Sequence, residues 1–137
     1  MPDTVQRVDY YVASIPHRAG EGARILNAFR DAGVNFLALH AFPRDGNAQV
    51  DFFPQDSNAF EGAAKEAGIE LERRKTAFLV QGSDRVGAIA EILGKLGDAD
   101  VNVTALDAVS ADGRFGALLW VSPEKVDAAA EALGTTK

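Results

Sequence analysis

Cysteine is absent from the 137 residues. That excludes disulfides, iron–sulfur clusters, thiolate zinc sites and a cysteine nucleophile. Histidine is scarce: His17 and His40 are the only two, far apart in sequence and without metal-ligand spacing. Ser14, Ser83, Ser110 and Ser122 stand in no Gly-x-Ser-x-Gly elbow. Positive charge is in deficit, with 14 Lys and Arg against 20 Asp and Glu, a net charge of −6. An acidic chain repels phosphate backbones, so nucleic acid is not an expected partner. No apolar run approaches the roughly 20 residues that span a bilayer, and the polar, charged stretch Met1 to Tyr10 lacks a signal-peptide core. The expectations are no membrane partner, a cytoplasmic location, no metal, no cofactor and no catalysis.

What is present is an ordinary globular composition, 47% hydrophobic and 25% charged, over a length that suits one domain or two small ones. The chain repeats itself. Val34-Asn35 recurs as Val101-Asn102, 67 positions on. The same offset, without gaps, aligns Arg18 with Arg85, Gly20 with Gly87, Ile25-Leu26 with Ile92-Leu93, Asp31-Ala32 with Asp98-Ala99, and Asp45-Gly46 with Asp112-Gly113. Internal repetition outranks any single motif as a guide to architecture.

Each copy carries the same periodicities. Gly22, Ile25, Leu26 and Phe29 form one helical stripe, and Ile89, Ile92, Leu93 and Leu96 form its counterpart. Gly33 and Gly97 read as stop signals. A second helix follows in each half, with stripes Phe60, Ala63, Ala64, Ala67 and Val126, Ala129, Ala130, Leu133. Ser122-Pro123-Glu124 reads as the start of the latter. Strands are predicted over 7–13, 35–42, 47–53 and 69–74, then over 76–81, 102–109 and 115–121. Asp45-Gly46 and Asp112-Gly113 are the hairpin turns, because Asp-Gly tolerates positive φ.

The order β-α-β-β-α-β defines an α+β, ferredoxin-like unit: an antiparallel sheet with helices on one face. The expected domains are 5–74 and 75–137, the second lacking its last strand and so leaving an open sheet edge. The segment Phe115 to Val121 is apolar on both faces. Together with the open edge, it leads us to expect a homodimer.

The loops before the first helix of each copy are the candidate sites. Helix N-termini favour carboxylates, Gly20 and Gly87 permit close approach, and Asn35 or Asn102 heads the next strand with an amide that can accept from an ammonium group. Two readings stand: a free amino acid bound by these groups, or Ser83 or Asp84 merely capping a helix.

The run Asp84-Arg85-Val86-Gly87, Ile92-Leu93 and Asp100-Val101-Asn102-Val103 resembles the ACT-domain pattern, in which Asp-Arg-Pro-Gly precedes a helix and Gly-Ile-Asn-Ile follows it. His17-Arg18-Ala19-Gly20, Ile25-Leu26 and Gly33-Val34-Asn35-Phe36 are similar. The family's proline is Ala19 or Val86 here, and its aspartate is His17 in the first copy. The resemblance implies tandem ACT-type units that bind an amino acid for regulation. It assigns ligand contacts to Asp84, Arg85, Val86, Gly87, Val101 and Asn102, and to His17, Arg18, Ala19, Gly20, Val34 and Asn35; Ser83 joins them as the first residue of the loop Ser83–Gly87. It also implies a regulated enzyme on another chain as partner. The alternative is a protein–protein interaction module with a degenerate ligand site.

Overall fold

The structure is a computed structural model that describes residues 3–135. Along the chain lie β1 (Thr4–Pro16), α1 (Glu21–Asp31), β2 (Phe36–Arg44), β3 (Asn47–Pro54), α2 (Ser57–Glu66), β4 (Arg74–Ser83), α3 (Ala88–Asp98), β5 (Val103–Ala111), β6 (Arg114–Val121) and α4 (Val126–Leu133). Two compact units result. The first is Asp9–Lys75; the second combines the chain up to Val8 with the chain from Thr76 onward.

In the first unit the sheet order is β2-β3-β1. Tyr11 faces Phe52 and Ala13 faces Val50 across β1 and β3, and His40 faces Asp51 across β2 and β3. Alternation along β1 turns Tyr11, Ala13 and Ile15 toward the helices, where they meet Ile25 and Phe29 of α1 and Phe60 and Ala64 of α2. Asp56 caps α2 by accepting from the Ala59 N–H at 3.1 Å. The Tyr11 hydroxyl donates to Glu61; burial, and then that hydrogen bond, raise the pKa of the phenol.

The second unit repeats the plan. Phe78 faces Leu119 and Val80 faces Ala117 across β4 and β6, while β5 pairs with the far side of β6. Its core gathers Phe78, Val80, Leu119, Ile92, Leu96, Ala129 and Leu133. The register irregularity in β2 at Phe36/Ala38 recurs in β5 at Val103/Ala105, 67 residues on. Both hairpins have the anticipated positive φ, at Asp45 and Gly46 and at Asp112 and Gly113.

Several features depart from the sequence-based expectation. Residues 69–73 form no strand; a single backbone bond, from Glu72 N to Val12 O at 2.8 Å, ties that segment to β1. No strand follows α4 among the described residues, but the open edge of the second unit is filled. Residues 4–8 of β1 lie beside β4, and Val5 enters the second unit's core. Residues 5–8, expected in the first domain, therefore stand in the second unit. The start of α4 is preceded by a 3-10 turn, Pro123–Lys125, and Ser122 makes no side-chain cap. Leu118 and Trp120, on the second face of β6, are buried.

The stop of α3 is not Gly97. The helix runs through it to Asp98, and the left-handed position falls on Asp100, φ 58°, at the place of Gly33, φ 75°. In each copy the next residue donates back to the helix at 2.9 Å, Val34 N to Phe29 O and Val101 N to Leu96 O. A non-glycine residue pays steric strain in this conformation, though aspartate tolerates it better than most. Asp100→Gly is accordingly expected to stabilise the protein by up to about 1 kcal/mol, read as a raised urea midpoint with an unchanged slope. Among the described residues no helix is long and apolar enough to cross a membrane.

Candidate ligand-binding cleft

A cleft of about 320 Å³ opens at the N-terminus of α3. Asp84, Arg85, Gly87, Ala88, Ile89 and Ala90 line one wall; Ala108, Val109, Ser110 and Phe115 line the other. The chain reaches it because β4 runs into a short loop whose last residue, Gly87, is the N-cap in a left-handed conformation, φ 83°. Gly20 occupies the same position before α1, φ 89°. These glycines are needed for the backbone turn into the helix. Among the described residues no side chain caps α3, so the capping reading of Ser83 and Asp84 falls. The Ala88 N–H donates to Arg85 O at 3.3 Å. The N–H groups of Ile89 and Ala90 belong to the first turn, which has no intrahelical acceptor for them.

Ser83 ends β4, and its carbonyl accepts from Arg85 Nη1 at 3.1 Å. The Asp84 carboxylate accepts from the Ser110 hydroxyl at 2.7 Å, across the cleft. Val86 is fully exposed. Arg85 is committed elsewhere: its guanidinium makes a two-pronged pair with Asp3 at 3.0 and 3.1 Å, also bonds Glu91, and lies 5.9 Å from the centre of the Phe115 ring. The bonds to Asp3 and then Glu91 hold its pKa above the ordinary arginine value. Gly82 makes room for Asp3, since a Cβ there would sit 2.1 Å from Asp3 Oδ1 and 2.9 Å from Phe115 Cε1. Asp3 thus pins the start of the chain to the loop, and Arg85 is its anchor.

Val101 and Asn102 are not part of this cleft. Val101 is buried in the core beyond the end of α3, and Asn102 is exposed just before β5. The 11 residues of α3 place them about 16 Å from Gly87 at 1.5 Å per residue. β5 leaves Asn102 at its head and delivers Ser110, at its tail, to Asp84. The first copy is arranged likewise. His17, Arg18, Ala19 and Gly20 are exposed before α1, whereas Val34 and Asn35 follow its far end, where Asn35 O accepts from Gln55 N at 3.0 Å. Arg18 pairs with Glu21. The pit in this unit, about 110 Å³, lies instead under α1, lined by apolar residues including Ile15, Ile25, Leu39 and Phe52, and contains none of the anticipated residues. It exists because Gly22 stands where the second copy has Ile89. Sequence reasoning missed Ser110, Ala108, Val109 and Asp3. Hairpin geometry was the only available signal for the first three, because the Asp112-Gly113 turn brings the tail of β5 level with Ser83–Asp84, where Asp84 N donates to Gly113 O at 3.0 Å.

His40 lies inside β2, half-buried, with Nδ1 3.4 Å from Asp51 Oδ2 and its ring against Phe42. Asp51 is buried and also accepts from Gln49 Nε2 at 2.9 Å. Among the described residues, no group of three or more His, Cys, Asp and Glu could hold a metal ion.

No protein-family profile matches the chain, and no curated protein matches it. Solved structures do. One is a protein of Bacteroides thetaiotaomicron, 14% identical, with 96% of this chain and 88% of that one covered and a TM-score of 0.78. The ligand-free regulatory subunit of aspartate kinase from Thermus thermophilus is 15% identical over 98% and 95%, TM-score 0.65. The corresponding subunit from Thermus flavus is 16% identical over 97% and 94%, TM-score 0.57. The fold is that of tandem ferredoxin-like units of the ACT type.

Proposed function

We propose that the protein is a regulatory, non-catalytic amino-acid-binding protein, and that the cleft at the start of α3 is its ligand site. The observation that carries this reading is the presence of opposite chemistries within one cleft. Uncapped N–H groups of α3 offer hydrogen bonds and partial positive charge to a carboxylate, while the Asp84 carboxylate, oriented by Ser110, is 2.7 Å from that hydroxyl and suits an ammonium group. Asp84 therefore takes the role first given to Asn102. Arg85 acts by positioning the loop, not by meeting the ligand. The fold shared with regulatory subunits of aspartate kinase supports a target enzyme on another chain.

Calorimetry against the twenty common amino acids tests the reading. At least one is expected to bind, and Asp84→Asn is expected to weaken it by about 1.5–3 kcal/mol, the worth of a charge-assisted hydrogen bond. Asn102→Ala is expected to bind like the parent. If the parent binds none of the twenty, the interaction-module reading replaces this one.

A further inference from the structure

The two copies pack differently under their first helices. Gly22 lies in the first turn of α1, where the second copy carries Ile89 in α3. Side chains around that position match: Ile25, Leu26 and Leu39 recur as Ile92, Leu93 and Leu106. Ile89 packs against the core of the second unit. In the first unit the glycine leaves a pit of about 110 Å³ under α1. Its floor is the buried Ile25, Val50 and Phe52; Leu26 and Leu39, 38% and 43% exposed, stand at its mouth.

Nothing in the fold requires this glycine. Gly22 is helical, outside the left-handed region, and a Cβ built on it would meet nothing within 4 Å. It therefore serves neither a turn nor a close backbone approach. It costs helix stability relative to alanine, and the void beside it lacks the dispersion contacts of a filled core.

The lining dictates what fits. Every residue around the pit is apolar or glycine, so a charged group would enter without a partner. A cavity of about 150 Å³ takes a benzene ring, so this smaller one takes roughly four or five carbons. The second copy supplies the shape, since the corresponding place there is held by the branched aliphatic side chain of Ile89.

We propose that the pit under α1 is a second binding site, which takes an uncharged small molecule by its branched aliphatic group. It lies in the other unit from the cleft at α3, and stands whether or not that cleft binds an amino acid.

Methyl NMR of the full chain, labelled at Ile, Leu and Val, tests this with 3-methyl-1-butanol as the probe. Saturable shifts are expected at the methyls of Ile25, Leu39 and Val50, and none with glycerol. L-Leucine carries the same branched group with two charges, and its dissociation constant at this site should be about tenfold higher or more. Gly22→Ile fills the pit from within and should raise the dissociation constant of the alcohol about tenfold or more. Gly22→Ala favours the helix and only narrows the pit, so it should raise that constant less; methyl dispersion shows that each variant is folded. A parent without saturable shifts, a folded Gly22→Ile chain that binds like the parent, or leucine bound more tightly than the alcohol would overturn the proposal. So would binding of the alcohol that weakens as protein concentration rises, which would give the pit to a side chain of a second copy.

Discussion

Phe60→Ala is expected to remove about 3–5 kcal/mol of stability, in the range of a buried phenylalanine truncation. Phe60 is fully buried, with ring centroids 4.8 Å from Phe29, 4.9 Å from Tyr11, 5.3 Å from Phe52 and 5.9 Å from Phe36. Its ring meets α1, β1, β2 and β3 at once. Neighbours drawn from four elements cannot all collapse into the space it leaves, and residual cavity volume is what raises the penalty. Domains of this size are stable by about 5–15 kcal/mol, so the loss is a large fraction of the total. Urea unfolding followed by circular dichroism should show a much lower midpoint, and hydrogen exchange should report the loss within Asp9–Lys75. Phe60→Leu should recover part of it. A loss below about 1 kcal/mol would mean that these rings do not form one packed cluster.

Val5→Asp is the second large effect, and it falls in the other unit. Val5 is buried with Phe78, Val80, Phe115 and Leu119, so the substitution sets a carboxylate in an apolar core. Such a group stays neutral by raising its pKa, or ionises at a cost of several kcal/mol. The sign follows from linkage. Below the unfolded carboxyl pKa of about 3.9 the group is neutral in both states and the penalty is smallest. As pH rises the unfolded state ionises first, so the destabilisation grows toward neutral pH. Trp120 is the only tryptophan and sits in β6, so its fluorescence reads the second unit directly. We expect a loss of roughly 3 kcal/mol or more at pH 7, shrinking toward pH 4, with Val5→Ile nearly neutral. If Val5→Asp leaves the Trp120 transition in place, the N-terminal strand does not complete the second unit.

The two core expectations differ in how visible they were. Phe60 and Phe29 fall on helical stripes, and Phe52 alternates along a strand, so a periodicity argument places all three inside. Val5 carries no such signal. It precedes the predicted strand, and nothing local tells a strand start which strand it will lie beside. Hydrogen bonding to a sheet edge is sequence-blind; what accompanies this pairing is the burial of Val5 in the core and the bond of Asp3 to Arg85 beside Gly82.

The candidate site divides the same way. Asp84, Arg85 and Gly87 were legible because a positive-φ turn into a helix demands particular residues at particular places. The partners were not. A motif on a single chain lists the residues before and after α3 together, and that invites the idea that they meet. The rigid helix between them holds them apart by its own length.

The sequence by itself determined the duplication, the helix and strand types, the hairpin turns and the two aromatic and aliphatic cores, because each follows from local periodicity or a local backbone requirement. Tertiary structure alone decided which strand closes the second sheet, that Arg85 is occupied by Asp3, and that Ser110 instead of Asn102 faces Asp84. Those are contacts between residues 26 to 82 positions apart, and their energy depends on how whole elements pack, which no local pattern encodes.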